Sequence, residues 1–410
     1  MDQNPSAQVF AVSPVGRFVV LAAFCAAIAL TGQLSTAAMG LVTLSLIGII
    51  ALPAYRLLVL TGASAFFFLL RPFRIDGWAN LTADKASALG VPTLALQGAA
   101  AAAVILFAFA FMTWQRRYHS AFAARRPVMG LILIWFSVLG TALLLPSGSA
   151  LSATLWVFSG VFISSLWIFA YAAVDNKGKD PAPIWSRAAL MRPFWGGSAA
   201  PIGKSFGYLN KFDAKDETAL AVTRLKALKL AVWALILFGI LTVVEYVLQD
   251  IFGLPKLQSA ILAYAAGNPM PLTTNWASLL SNYFVDLLII SVWGHLIVAI
   301  VRMSGYCIPR NTVNPLASRT LAEFWNRYFF YFKELLVDLF FYPAFLRFFK
   351  KQPKLRIAFA TLCAAGLGNF LYHFMRETYI FADRPFVEAM MVFQCFVLCF
   401  IGLFFASFLV

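Results

Sequence analysis

His373 has the neighbours that acid–base chemistry needs. It stands near the end of an apolar stretch, with Asn369 four residues before it and Glu377 four residues after it. On a helix these positions share one face. An imidazole titrates near pH ~6.5 in water, and burial leaves it neutral and basic. That is the state a general base needs to take a proton from a hydroxyl. Attack of that hydroxyl on a carbonyl carbon creates an oxyanion, which Asn369 or a backbone N–H would stabilise. Glu377 would hold the ring tautomer, as the third member of a triad does. The competing reading is a core histidine hydrogen-bonded across helices, with Glu377 paired to Arg376 or Arg384.

The chain has three histidines. His119 lies among arginines and reads as a solvated surface residue. His295 lies inside the apolar stretch 278–302, nine residues after Asp286. A charged group at membrane depth costs about 2.5–3.5 kcal/mol on insertion scales. His295 therefore reads as a neutral ring satisfied by a neighbouring helix. Asp286 needs a partner, expected to be a basic residue. The five cysteines decide little. Cys25, Cys363, Cys395 and Cys399 sit in apolar stretches and Cys307 borders one. No zinc spacing exists, so they read as small buried hydrophobes, and no metal site is expected.

Composition dictates what must position these groups. Hydrophobic residues make up 61% and charged residues 12% of the 410, and the mean hydropathy is +0.81. Apolar stretches long enough to cross a bilayer core of about 30 Å recur along the chain. In lipid every backbone polar group must be satisfied internally, so the stretches are helices. The expected fold is all-α: a polytopic membrane protein with about ten transmembrane helices, plus re-entrant and interfacial helices. The spans fall near 18–31, 36–54, 57–71, 91–114, 127–146, 151–174, 229–248, 278–302, 356–376 and 386–409. No cleavable signal is evident. The Phe-rich block 329–349 carries Lys333, Glu334, Asp338 and Arg347, which suits a re-entrant or tilted helix buried in protein.

The net charge is +15, from 32 Lys and Arg against 17 Asp and Glu. Basic residues cluster at Arg116–Arg126, in the long segment 175–228, and from Arg347 to Arg356. The loops 147–150 and 249–277 are poor in Lys and Arg. The positive-inside rule places the basic loops, and both termini, in the cytoplasm. Attraction to anionic headgroups explains the charge, so no nucleic-acid partner is expected. The chain reads as a single membrane-embedded domain, 1–410. The loop 175–228 is its only long hydrophilic segment, and its charged and apolar residues from Lys211 to Lys229 alternate as in an interfacial amphipathic helix.

One polar window breaks the apolar pattern. It runs from Gly305 through Pro309, Asn311, Pro315 and Arg319 to Glu323-Phe324-Trp325-Asn326-Arg327-Tyr328, and on through the Phe-rich block to Asp338 and Pro343. Pro309 and Pro315 forbid a regular helix through 309–315. Irregular backbone at membrane depth is tolerated only against protein or a water-filled cavity. Glu323 and Arg327 also suit a simple i,i+4 helix pair, and Trp325 and Tyr328 suit interface anchors.

This window resembles the membrane-bound O-acyltransferase family, most closely its bacterial alginate O-acetyltransferase-like members. The family string, in effect G-x-x-x-P-x-N, a Pro, an Arg, then E-F-W-x-R-[WY], is met by Gly305, Pro309, Asn311, Pro315, Arg319, Glu323, Phe324, Trp325, Arg327 and Tyr328. The match continues to Asp338 and Pro343, and Tyr372-His373 stands where the family has Trp-His. It covers some seventy residues. The chain departs from the family at Phe329, where bacterial members carry a second His, and at Phe374, where they carry Gly. Asn326, three residues before Phe329, would share a helical face with it and partly substitute.

The resemblance implies a catalytic region at 305–376, with His373 as general base assisted by Asn369 and Asn326. It implies substrate binding by Trp325, Arg327, Arg319, Tyr328, Phe329, Asp338 and Glu377. Arg319 and Arg327 suit the phosphates of a nucleotide-bearing donor. The implied donor is a cytoplasmic acyl-CoA-type thioester, a co-substrate rather than a bound cofactor, and the implied group is acetyl. The implied acceptor is a hydroxyl of an exported glycan, a lipid or a protein, with an extracytoplasmic partner acyltransferase completing transfer. The implied location is multi-pass in the cell membrane, a bacterial inner membrane. A tunnel walled by 305–343 should reach His373 from the cytoplasm. The alternative function is a transporter or channel using Asp286, His295 and His373, or an inactive scaffold.

Overall fold

The computed structural model describes residues 2–177, 183–196 and 200–393, together with 397, 401 and 402. Their regular structure is helical, and the single β-type contact among them is an isolated antiparallel bridge between Asp213 and Tyr306. Among the described residues seven helices are long and apolar enough to cross a membrane, and the protein is a multi-pass membrane protein. They match the stretches expected near 57–71, 91–114, 127–146, 151–174, 229–248, 278–302 and 356–376. The N-terminal stretch is different. Pro5–Val12 and Pro14–Ala29 meet at 104°, because Pro14 cannot continue a helix and the Ser13 side chain caps the second one. Thr36–Ala51 is helical but only 16 residues long. The expected span 386–409 lies mostly outside the described residues, of which Phe386–Val392 is helical.

The chain packs as two compact units. One comprises Met1–Ile47, Asp213–Ser318 and Phe324–Phe330; the other comprises Gly48–Phe212, Arg319–Glu323 and Tyr331–Val410.

In the first unit the long helix Glu217–Tyr246 packs against Leu272–Met303 and against the N-terminal helices. Asp216 caps Glu217–Tyr246 by accepting from the Ala219 N–H at 2.7 Å. The residues expected as an interfacial helix are, from Glu217 onward, the opening turns of this span. An apolar cavity of about 680 Å³ is lined by residues including Phe252, Leu280, Phe284, Leu287 and Leu316. None of its lining side chains ionises, so it is no seat for acid–base chemistry.

The second unit is built around Ala150–Asp175, a helix buried along most of its length, as expected for one apolar on every face. Gly160 on this helix lies so close to Trp78 that a Cβ there would fall 2.5 Å from the indole. Much of the described part of the segment expected as a long hydrophilic cytoplasmic loop is also internal. Ser186 to Ala188, Leu190 to Trp195 and Ala200 to Phe206 are buried. The Phe194 N–H donates to Ser64 in mid-helix at 3.2 Å, and Ser205 bonds Asp175. Polar side chains go in because they find partners there. Asn176 donates to the Met112 carbonyl and to Gln115, each at 2.9 Å, and accepts from Arg116.

Candidate active site

His373 lies on the short helix Asn369–Glu377 of the second unit. This helix is entered through a π-helical turn, Leu362–Gly368. A second π-helical turn, Val337–Phe341, carries Asp338. The two turns pack together, with Gly368 so close to Phe340 that a Cβ would lie 2.7 Å from the ring. π-turns are rare and recur at functional sites. Here they let two helices approach with their polar residues re-aimed.

The His373 ring is half-buried. Its centroid is 6.3 Å from Phe332 and 5.2 Å from Tyr372, both edge-on. Phe332 packs on Tyr372 at 4.7 Å, and Tyr372 stacks on Trp167 of the buried helix at 6.0 Å. Asn369, one turn earlier, is 7% exposed. Its Oδ1 is buried with no hydrogen-bond partner among the described residues. Glu377 accepts from Arg376 Nε at 2.7 Å, which is the pairing of the competing reading. The far end of the helix is clamped by Trp78, whose Nε1 donates to the Arg376 carbonyl at 2.9 Å. Phe374 fills an aromatic cluster with Phe370, Phe393, Phe381 and Phe136.

Asp338 belongs to a charged cluster in the same unit. Lys204 is 7% exposed and reaches Asp338 at 2.6 Å and Glu334 at 2.9 Å. Tyr171 donates to the same Asp338 oxygen at 2.9 Å. Lys333 bonds Glu334 from the other side, and the Tyr208 ring lies 4.8 Å from the ammonium. Burial works against the charge on Lys204, but its bonds to Asp338 and Glu334 carry its pKa above the ordinary value. Burial likewise works against the Glu334 carboxylate, and the bonds from Lys333 and Lys204 outweigh it, so its pKa is lowered.

The first unit holds the Trp325–Phe329 part of the window. The irregular segment after Met303 is laced to it by three bonds. The Val313 N–H donates to the Arg327 carbonyl at 2.7 Å, Thr312 Oγ1 to the Tyr328 carbonyl at 2.8 Å, and the Phe330 N–H to the Asn311 carbonyl at 3.0 Å. Asn311 is buried against Gly294, where a Cβ would lie 2.8 Å from its amide nitrogen. Gly305 and Asn314 take positive φ, 99° and 46°, the conformations that glycine and asparagine tolerate best. Tyr328 is buried, Trp325 and Arg327 are half-buried, and Asn326 is exposed.

Several expectations need correction. The helix Leu321–Tyr328 ends before Phe329, so Phe329 lies at a break and shares no helical face with Asn326. Glu323 takes a capping role, accepting from the Arg319 N–H at 2.9 Å while its own N–H donates to Thr320. Arg319 itself is exposed. Asp286 is exposed and accepts from Asn282 at 2.7 Å, an amide that i−4 spacing places on the same helical face. His295 donates from Nδ1 to the Ser291 carbonyl at 2.7 Å, so its own helix, rather than a neighbour, satisfies it.

Sequence reasoning missed Lys204, Tyr171, Trp167 and Phe332. A usable signal existed for Lys204: Glu334 and Asp338 sit one helical turn apart in an apolar block, and Lys333 balances only one of them. Comparison with family models, with curated proteins and with solved structures finds no match for this chain.

Proposed function

We propose that this chain is a membrane-embedded O-acyltransferase with His373 as its general base. The observation that carries the reading is Asn369. Its side-chain oxygen is buried and unpartnered one turn from the imidazole, and an unsatisfied buried polar group calls for an explanation. A bound reactant supplies one. The acceptor hydroxyl gives its proton to His373 as it attacks the thioester carbonyl. The Asn369 Oδ1 accepts a hydrogen bond from the bound reactant, and the amide N–H of the same side chain stabilises the oxyanion. Collapse expels the thiolate, which takes the proton back from His373.

The donor is a cytoplasmic acyl-CoA-type thioester, and the group moved is acetyl. The acceptor is a hydroxyl of an exported glycan or partner protein. About ten spans, with both termini and the basic loops in the cytoplasm, complete the arrangement. The reading is supported by the ungapped Gly305–Pro343 window and by His373 at the matching distance. The test is thioester hydrolysis by the purified protein. His373→Ala should lower it by about 10²–10⁴-fold with the thermal unfolding midpoint retained. Near wild-type turnover in that variant refutes the mechanism.

A further inference from the structure

The helices Glu217–Tyr246 and Leu272–Met303 of the first unit pack closely along part of their length and leave a gap along the rest. Leu272–Met303 is almost wholly buried from Ser291 to Met303, whereas from Leu272 to Asp286 only Ser278 is buried. In Glu217–Tyr246 the last buried side chain is Leu241. The apolar cavity of about 680 Å³ lies beyond these packed stretches. Val244 and Leu248 line it from one helix and its continuation, and Leu280, Phe284 and Leu287 from the other. Leu316, on the 3₁₀ turn Pro315–Ala317, completes the lining.

One wall is set by backbone bonds. Tyr246 leads into a π-helical turn, Val247–Ile251, a form that recurs at functional sites. The Phe252 N–H donates to the Val247 carbonyl at 3.0 Å, and the Leu254 N–H to the Leu248 carbonyl at 2.9 Å. Gly253 turns the chain between them with φ 60°, where a side chain would be strained. Leu248, Phe252 and Leu254 therefore meet the cavity from a wall pinned before anything binds.

Such a space can be neither empty nor wet. A void forfeits the contacts of every side chain around it. A water needs about two to four polar partners. Among the described lining residues the side-chain polar group is the Ser281 hydroxyl, and it already donates to the Ala277 carbonyl at 2.5 Å. The mouth is open, since Leu280, Phe284 and Leu316 are exposed, while Leu287 at its floor is 6% exposed. Both helices belong to membrane-crossing spans, so the medium at that mouth is hydrocarbon.

We propose that this groove binds one acyl chain of a membrane phospholipid as a resident ligand. The lining follows the second helix from Leu280 to Leu288, about 12 Å along its axis, so an extended chain can lie in it. The groove belongs to the first unit and His373 to the second. Its occupancy is measured without turnover, so it stands apart from the acyl-transfer reading.

For the test, the full chain is placed in phosphatidylcholine nanodiscs doped with a phosphatidylcholine that carries a diazirine on one acyl chain. After irradiation and digestion, the modified residues are located by mass spectrometry. An adduct is expected on Leu287, which a lipid resting on the outer surface does not reach, and on lipid-facing residues such as Leu106, 68% exposed. Ala277→Trp and Ser281→Phe each add a ring to the lining, and each should abolish the Leu287 adduct while keeping that on Leu106. Leu133→Trp, at an exposed position of the second unit, should leave both adducts unchanged. The unfolding midpoint in the same nanodiscs shows which variants are folded, and either filled variant suffices. No Leu287 adduct in the wild-type chain overturns the proposal, whether the groove is then empty or covered by a second copy. So does a Leu287 adduct that a folded, filled variant retains.

Discussion

Replacing Lys204 with Met should destabilise the second unit through one identifiable group. Lys204 is 7% exposed, and its two partners, Glu334 and Asp338, are 21% and 30% exposed. Removing one partner of a fully buried pair costs about 3–5 kcal/mol, because a charge is left uncompensated. The residual exposure of both carboxylates lets water recover part of this, so the expected loss is about 2–3 kcal/mol. Glu334 keeps Lys333; Asp338 keeps only the Tyr171 hydroxyl among the described residues. Adding Asp338→Asn to Lys204→Met should therefore restore most of the stability, and adding Glu334→Gln should restore less. Lys204 has φ 49°. Met meets the same left-handed backbone cost, so the difference reports charge rather than strain.

The sign of the pH dependence follows from the same contacts. The Glu334 pKa is lowered from 4.5 in the folded state. Its contribution is present above that value and lost as pH falls through the folded pKa. The Lys204 pKa is raised from 10.5. Its contribution is present below that value and lost as pH rises through the folded pKa. The deficit of Lys204→Met should be full near neutrality and shrink only as the pH falls below 4.5 and through the lowered folded pKa of Glu334. The assay is reversible unfolding in mixed detergent micelles across pH, for all four chains. A deficit below about 0.5 kcal/mol, the size of an exposed pair, or equal rescue by the two carboxylate variants, would refute the reasoning.

Two further outcomes are expected. Gly160→Ala should destabilise by about 1–3 kcal/mol, because its Cβ would meet the fully buried Trp78 at 2.5 Å; tryptophan fluorescence and the unfolding midpoint should shift together. Asn369→Leu conserves volume and removes a buried amide oxygen that has no partner. Its stability should stay within about 1 kcal/mol of wild type while thioester hydrolysis is lost, and a stable variant with full turnover would remove Asn369 from the chemistry.

The long helices were legible because apolar runs of sufficient length allow nothing else in lipid. Pro309 and Pro315 likewise announced an irregular segment, and its bonds to Arg327, Tyr328 and Phe330 account for the polar residues kept there. The interior of the second unit was not legible. The segment from Ser186 to Phe206 reads as a solvated loop, since composition reports polarity and not partners. Those partners, Ser64, Asp175 and Asp338, lie 30 to 134 residues away. The helix break at Phe329 also escaped notice, because aromatic residues carry no stop signal of the kind Gly or Pro gives.

Lys204 also sets an order of events during synthesis. Its carboxylates arrive 130 and 134 residues later in the chain, and the carbonyl that receives Trp78 arrives 298 residues later. At about 5–20 residues per second, the ammonium waits roughly 7–26 s for its counter-charges. Until then Ala200–Phe206 has nothing at 334 or 338 to dock against and stays where water can solvate its lysine. The Lys204 cluster is therefore expected to close only once residues 334 and 338 have been inserted. A nascent chain stalled before residue 334 should leave this segment open to protease, and one stalled well beyond 338 should protect it.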